Sequence, residues 1–241
     1  MSQRVPEFAL VIGGFLALTV LVTGVVFTGD VARSTLTAAV VGLPFGVYAV
    51  HHSDDPTTVL PPRVVLAGAA LLGCVLFVAA VPEMPGRTDS LPRRLLYALF
   101  VALVVGLPLA TYAVKYGDLR PLPPRATAAG TAALGVVLLV VGPLVGDAVL
   151  GAVDAVLVFL AGRGYADVHG VGASRRVRRA LVAAGGLLCV GLIGLGAVVG
   201  SAETLLPWVV AGVAAALAPS LHYALSVERE RGSQNFFSRR S

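Results

Sequence analysis

The segment VVGLPFGVYAV at residues 40–50 recurs as VVGLPLATYAV at residues 104–114. In both copies a proline lies four residues before a Tyr-Ala pair. The same proline spacing precedes Tyr223, and a further Tyr-Ala pair begins at Tyr165 without the proline. This recurrence predicts four tandem hairpins, each made of two apolar helices. The hairpins are expected at about residues 8–50, 64–114, 126–167 and 178–226.

The composition places these helices in a membrane. Of the 241 residues, 57% are hydrophobic and only 13% are charged, and the mean hydropathy is +0.88. A soluble domain carries about 25% charged residues, and its helices show a polar face. The apolar residues here come instead in blocks long enough for helices that cross the hydrocarbon layer, which takes about 20 residues. The sequence therefore excludes a soluble globular protein and predicts a polytopic integral membrane protein.

The expected architecture is an all-α transmembrane bundle of about eight helices. A single transmembrane domain over residues 1–228 is followed by a short polar cytoplasmic tail, residues 229–241. The helices are expected at about residues 8–28, 34–50, 64–81, 94–114, 126–141, 147–164, 180–199 and 205–225.

The number of helices depends on residues 126–164. A continuous helix there would reach roughly twice the thickness of the hydrocarbon layer, at about 1.5 Å per residue, and would leave seven helices. Gly142-Pro143 favours a break. In addition, Gly146-Asp147 precedes Tyr165 by 18 residues, as Gly29-Asp30 precedes Tyr48. The matching spacing predicts a hairpin turn at Gly146-Asp147 and eight helices, with seven as the alternative.

Basic residues predict the orientation, because Lys and Arg are concentrated in the cytoplasmic loops of membrane proteins. With eight helices, fourteen Lys and Arg lie on the side of the N-terminus and four on the other. Both termini are therefore expected in the cytoplasm. A chain rich in Ala, Val, Gly and Arg with one lysine, Lys115, is typical of a high-GC genome, and indicates a prokaryotic cytoplasmic membrane.

Asp154 is the one ionisable residue in the middle of an apolar segment. Such residues are costly in a bilayer and commonly serve transport. The alternatives are a protonated Asp154 that hydrogen-bonds to a neighbouring helix, or a re-entrant segment. The prolines and tyrosines of the hairpins are candidate components of the same path, or else kink the helices for packing and anchor them at the membrane surface. The transport-path candidates are Asp154, Pro44, Pro108, Pro219, Tyr48, Tyr112, Tyr165 and Tyr223.

Histidines and aspartates follow the ends of the hairpins, on the side expected to be cytoplasmic. These residue types ligate zinc and similar divalent ions, but their spacing fits no known closed site, and solvated loop residues are the alternative. The weak metal-ligand candidates are His51, His52, Asp54, Asp55, Asp167, His169 and His222.

The densest basic run precedes the seventh helix. It contains Arg175, Arg176, Arg178 and Arg179. Nucleic-acid binding usually needs a folded basic face or interleaved aromatic residues, and neither is found. The run is expected to anchor the helix by the positive-inside rule, and a cluster of this density can also bind anionic lipid headgroups.

The sequence contains few signs of catalysis or of cofactor binding. Cys74 and Cys189 lie in apolar helices, and no phosphate-binding loop, no serine nucleophile motif and no set of paired aspartates for a diphosphate is found. We expect no cofactor, and a function without catalysis is favoured over an enzyme. Two functions remain: a small-molecule or ion permease, and a non-catalytic scaffold or accessory subunit of a membrane complex. Asp154→Asn should abolish the first, and replacing a packing glycine such as Gly196 by leucine should disrupt the second.

Overall fold

A computed structural model describes residues 5–53, 55, 57, 60–83, 90–117, 120, 122–172, 174–199 and 205–238. Within these residues eight helices are long and apolar enough to span a membrane, and no strand is found. The helices are α1 (Val5–Thr28), α2 (Val31–His52), α3 (Pro62–Glu83), α4 (Leu91–Gly117), α5 (Pro124–Leu144), α6 (Ala148–Val168), α7 (Arg175–Val199) and α8 (Leu205–Ser238). The all-α membrane architecture is confirmed, and the seven-helix alternative is wrong.

The break between α5 and α6 results from a glycine and an aspartate. Gly146 has a φ of 78°, which an L-residue with a side chain rarely adopts. Asp147 then caps α6, since its carboxylate accepts a hydrogen bond from the Leu150 N–H at 3.3 Å. Between α1 and α2, Gly29 likewise has a positive φ, 69°, and Asp30 caps α2 by accepting a hydrogen bond from the Arg33 N–H at 2.8 Å. The predicted turn at Gly146-Asp147 is therefore confirmed.

The chain divides into two compact units, and in both of them each helix packs against its neighbour in sequence. In the first unit, Met1–Arg120, α1 pairs with α2 and α3 pairs with α4, while α2 also contacts α3 and α4. A small core forms there around Ala32, Leu76, Ala98 and Val101. The hairpins are thus joined within this unit through α2.

In the second unit, Pro121–Ser241, α5 pairs with α6 and α7 pairs with α8, and α8 also contacts α5 and α6. Glycines allow these helices to approach closely. A Cβ added at Gly151 would lie 2.7 Å from the Gly142 Cα, and one added at Gly196 would lie 2.5 Å from the Trp208 Cβ. Small residues at such contacts are typical of membrane helices.

Pro44, Pro108 and Pro219 lie inside α2, α4 and α8, which continue through them. Because a proline has no N–H, the carbonyl four residues before it loses its helical partner. In α8 this is the Ala215 carbonyl, and Gly185 of α7 lies directly against it: a Cβ there would be 2.6 Å from the oxygen. A Cα–H···O contact of this kind is common between membrane helices.

The outer surface is apolar. Phe27 of α1 is 83% exposed and Val198 of α7 is 85% exposed, and many other leucines, valines and phenylalanines are exposed with them. A surface of this kind is stable when it contacts lipid chains. At its C-terminal end α8 continues to Ser238, so the helical backbone extends into the segment predicted to be a tail.

Candidate functional site

Asp154 lies about a third of the way along α6 and is the most unusual side chain of the second unit. Its exposed fraction is 0%, and neither carboxyl oxygen has a hydrogen-bond partner among the described residues. Its neighbours one helical turn away, Gly151 and Val158, are apolar and buried. On insertion scales, a charged aspartate at the centre of a membrane helix costs about 3 kcal/mol. The group is therefore stable only with a bound proton or with a counter-ion.

Two further oxygen-bearing side chains share this face of α6. Asp147 precedes Asp154 by seven residues, and Tyr165 follows it by eleven. At 3.6 residues per turn these spacings are close to two and three whole turns, so all three lie on one face. Asp147 is at the start of the helix and half-buried. The sequence analysis gave Asp154 and Tyr165 as path candidates but assigned Asp147 only to the turn, although helical periodicity alone places it on the same face.

A cavity of about 150 Å³ lies between the four helices of the second unit, on a different face of α6. Phe159 lines it, but Asp154 does not. The five residues between them turn the helix by about 140°. Pro219 is the one transport-path candidate among the lining residues, all of which are Ala, Gly, Val, Leu, Phe or Pro. No sequence pattern indicated this cavity, because it requires four helices to meet.

Three of the four hairpin tyrosines, Tyr48, Tyr112 and Tyr165, lie near the C-terminal ends of their helices. The Tyr112 hydroxyl donates to the Leu60 carbonyl at 2.8 Å. The Tyr165 hydroxyl donates to the Leu122 carbonyl at 2.7 Å and accepts from the N–H of the same residue at 3.2 Å. Leu60 and Leu122 each precede a Pro-Pro-Arg sequence that leads into a helix. Each of these two hydroxyls thus links the second helix of its hairpin to the linker that precedes the first helix of the same hairpin.

Tyr48 and Tyr223 differ from these two. Tyr48 is 42% exposed and stacks on His52, with 4.1 Å between the ring centroids. Tyr223 is half-buried in α8. None of the four tyrosines lines the cavity.

The metal-ligand candidates are dispersed. No group of three or more His, Cys, Asp or Glu side chains that would hold a metal ion is found in the described parts of the chain. His52 and His169 each donate from Nδ1 to a tyrosine carbonyl one turn earlier in their own helix. His51 is exposed at the end of α2, and Asp54 lies outside the described residues.

The Asp55 side chain forms hydrogen bonds within its own turn. Its Oδ1 accepts from the Thr57 hydroxyl at 2.6 Å and from the Thr57 N–H at 3.0 Å. These two hydrogen bonds stabilise the carboxylate and lower the pKa of Asp55 below its usual value. The bonds give this aspartate a structural role in the linker.

Asp167 and His222 do meet, in a cluster that joins α6 to α8. The Asp167 Oδ2 is 3.7 Å from the His222 Nε2, and its Oδ1 is 3.3 Å from a guanidinium nitrogen of Arg163. All three side chains are mostly buried. The sequence analysis missed Arg163, although its position four residues before Asp167 is a recognisable ion-pair spacing within a helix.

The arginine run forms the first turn of α7. Arg175, Arg176 and Arg179 are exposed, whereas Arg178 is buried. The run thus presents three guanidinium groups at one end of a membrane-spanning helix, at the level where headgroups are expected.

Comparisons with protein-family models, with curated proteins and with solved structures find no match for this chain.

Proposed function

We propose that this polytopic membrane protein is an ion permease in which Asp154 binds the transported proton or cation. The observation that supports this is the burial of both Asp154 oxygens in a membrane-spanning helix without a hydrogen-bond partner among the described residues. A buried carboxyl group in a membrane-spanning helix, with no hydrogen-bond partner in the described part of the chain, is typical of an ion or proton pathway.

Asp147 and Tyr165 indicate along which face of α6 the proposed pathway runs. They lie on the same face of α6 as Asp154, about 10 Å and 16 Å from it along the helix axis. Because Gly142 and Gly151 are in close contact between Asp147 and Asp154, an ion that enters beside Asp147 would reach the buried carboxyl when α5 and α6 move apart, and would leave toward the end that carries Tyr165. The distribution of basic residues favours both termini in the cytoplasm, so Asp147 would face the outside. The high-GC composition favours a prokaryotic cytoplasmic membrane.

The repeated hairpin is part of this proposal. The turns at Gly29-Asp30 and Gly146-Asp147 both combine a left-handed glycine with an aspartate that caps the next helix, which supports equivalence of the first and third hairpins. The shared hydrogen bond from Tyr112 and from Tyr165 to a linker leucine supports equivalence of the second and third. Repeats related by an axis along the membrane normal occur in transporters, which bind their substrates near the middle of the bilayer.

Labelling with a hydrophobic carbodiimide tests whether Asp154 binds ions. The reagent adds to protonated carboxyl groups in apolar surroundings, and peptide mass spectrometry locates the adduct. We expect an adduct at Asp154 that is lost in Asp154→Asn. Protection by Na⁺ or K⁺ would identify a cation as the ligand, whereas absence of protection together with proton flux would identify a proton. Absence of both protection and flux would refute the permease.

A membrane scaffold is the second candidate, supported by the close glycine contacts and the wholly apolar cavity of the second unit. A scaffold tolerates Asp154→Asn, because its function depends on helix packing. It fails when Gly196 becomes leucine, because that side chain would displace Trp208. Purifying both variants from native membranes and comparing the proteins that remain bound distinguishes the two functions.

A further inference from the structure

The helices that pack against α6 place no charged side chain at the level of Asp154. Within the second unit these helices are α5 and α8. Gly135 of α5 lies against the Ala155 carbonyl, and the one charged residue of α5, Arg125, is about 15 Å from Gly135 along the helix. In α8 the first ionisable residue is His222, which belongs to the ionic cluster described above. The Asp154 carboxyl group therefore has no counter-ion among the described residues of this unit.

A metal ion bound to Asp154 would need oxygen ligands beyond the two of the carboxyl group. Ca²⁺ and Mg²⁺ take about six or more oxygen ligands. K⁺ channels surround the ion with rings of backbone carbonyls, and transporters coordinate Na⁺ with the carbonyls of unwound helices. A cation site at this position thus requires either several polar side chains or a broken helix.

The described residues of the second unit offer neither at this position. α6 is helical throughout its length and contains no proline, so its carbonyls accept the hydrogen bonds of the helix. The nearest ionisable side chains of α6 are those of Asp147 and Arg163, about 10 Å and 14 Å from Asp154 along the axis. No hydroxyl or N–H group of the described residues donates a hydrogen bond to the Asp154 oxygens.

Prolines free two carbonyls in the helices beside α6. Pro143 removes the helical partner of the Leu139 carbonyl in α5. In α8 the carbonyl freed by Pro219 lies against Gly185 of α7. Even with the Leu139 carbonyl turned toward the carboxyl group, a bound ion would have three oxygens, about half of the number that a metal ion takes.

Given the permease proposed above, on which this step rests, we infer that the carried ion is a proton, bound to a carboxyl oxygen of Asp154. A proton needs only one oxygen. It turns the carboxylate into a neutral acid, which removes the need for a counter-ion and much of the cost of burial. The O–H bond forms when the proton arrives and breaks when it leaves, and no other bond changes.

The close contact of Gly142 with Gly151 also favours a proton. A Cβ added at Gly151 would lie 2.7 Å from the Gly142 Cα, so the two backbones touch between Asp147 and Asp154. A metal ion passing there would lose most of its hydration water, and the two glycines have no side-chain oxygen to replace it. A proton moves from one water molecule to the next, so a single file of water is sufficient when the helices part.

The membrane potential that each ion gradient generates identifies the carried ion. The full chain is reconstituted in proteoliposomes, gradients of pH, Na⁺ and K⁺ are imposed one at a time, and a voltage-sensitive dye records the potential. We expect the pH gradient to generate a potential with the acidic side negative. The Na⁺ and K⁺ gradients should generate no potential above that of empty liposomes.

Two changes remove the carboxyl group. Asp154→Asn should abolish the potential, whereas Asp30→Asn, which puts another capping residue at the α1–α2 turn, should keep it. If Asp154→Asn does not fold, the carbodiimide adduct at Asp154 neutralises the carboxyl group in the folded wild-type protein, and it should abolish the potential as well.

A potential from the Na⁺ or K⁺ gradient that is lost in Asp154→Asn would overturn the proton assignment and leave the permease standing. A pH-driven potential that persists after Asp154 is replaced or labelled would overturn both, because the proton would then cross elsewhere. No potential from any of the gradients would refute the permease itself, and the proton assignment with it.

Discussion

The Tyr165 hydroxyl donates to the carbonyl oxygen of Leu122 at 2.7 Å, across 43 residues of sequence. The Tyr112 hydroxyl makes the same bond to Leu60 at 2.8 Å. In each case the end of one helix is tied to the proline-rich linker that leads into its hairpin partner. Leu60 and Leu122 lie outside the helices, so their carbonyls need partners from elsewhere. The tyrosines recognised from their repeated positions therefore have a structural task in the second and third hairpins.

Tyr165→Phe is expected to destabilise the protein by about 1 kcal/mol, because a hydrogen bond is lost while the ring remains. Unfolding in mixed detergent micelles, followed by circular dichroism, measures the change. Tyr48→Phe is the matched control, because that ring is 42% exposed at the end of α2, and its effect should be close to zero. Equal effects of the two substitutions would contradict the role given to the Leu122 bond.

Gly196→Leu is expected to destabilise the α7–α8 hairpin by about 1–3 kcal/mol, the usual cost of overpacking, because Trp208 occupies the space that the new side chain needs. The emission of Trp208 should shift as the ring is displaced. Gly194→Leu provides the control, since no atom of another helix lies within 4 Å of a Cβ at that position. Similar melting temperatures for the two leucine variants would show that Gly196 makes no such contact.

Asp167→Asn is expected to lower the free energy of unfolding by about 1–2 kcal/mol. This value lies between those for exposed and for fully buried ion pairs. It leaves the mostly buried Arg163 guanidinium without its carboxylate partner and removes the link to His222. The more exposed Arg33–Asp30 pair serves as the comparison. Arg33→Gln should lower the free energy of unfolding by less than about 0.5 kcal/mol. Chemical unfolding of both variants measures the difference, which would be absent if the cluster were fully solvated.

Reporter fusions test the orientation. With eight spans and cytoplasmic termini, a reporter after Val145 in the α5–α6 turn should lie outside, and one after Val171 should lie in the cytoplasm with the C-terminus. A cytoplasmic Val145 reporter would reverse the orientation expected from the arginines, and with it the direction of the path from Asp147.

The features that could be predicted from the sequence are those that depend only on neighbouring residues. Gly146 and Asp147 predicted a turn because a left-handed glycine and a capping aspartate act locally. Asp154 was identified because a carboxyl group is conspicuous among apolar residues. Its lack of hydrogen-bond partners among the described residues depends on what surrounds α6, which no local pattern encodes.

The features that the sequence did not reveal require helices distant in sequence to meet. The cavity depends on Phe159 and Pro219 facing a common space, and the ionic cluster depends on His222 reaching Asp167. Glycine spacing suggested close packing, but it did not show that Gly196 lies against Trp208. These pairings follow from the register between helices, which side-chain packing determines.

Ion flux through the purified protein tests the role of Asp154 most directly. Proteoliposomes containing a dye sensitive to pH, to sodium or to potassium are given a membrane potential, and the initial rate is compared with that of empty liposomes. We predict flux by the wild-type protein and by Asp30→Asn, which keeps its helix cap, and none by a folded Asp154→Asn. Flux by Asp154→Asn at the wild-type rate, or no proton, sodium or potassium flux by the wild-type protein, would contradict the proposal.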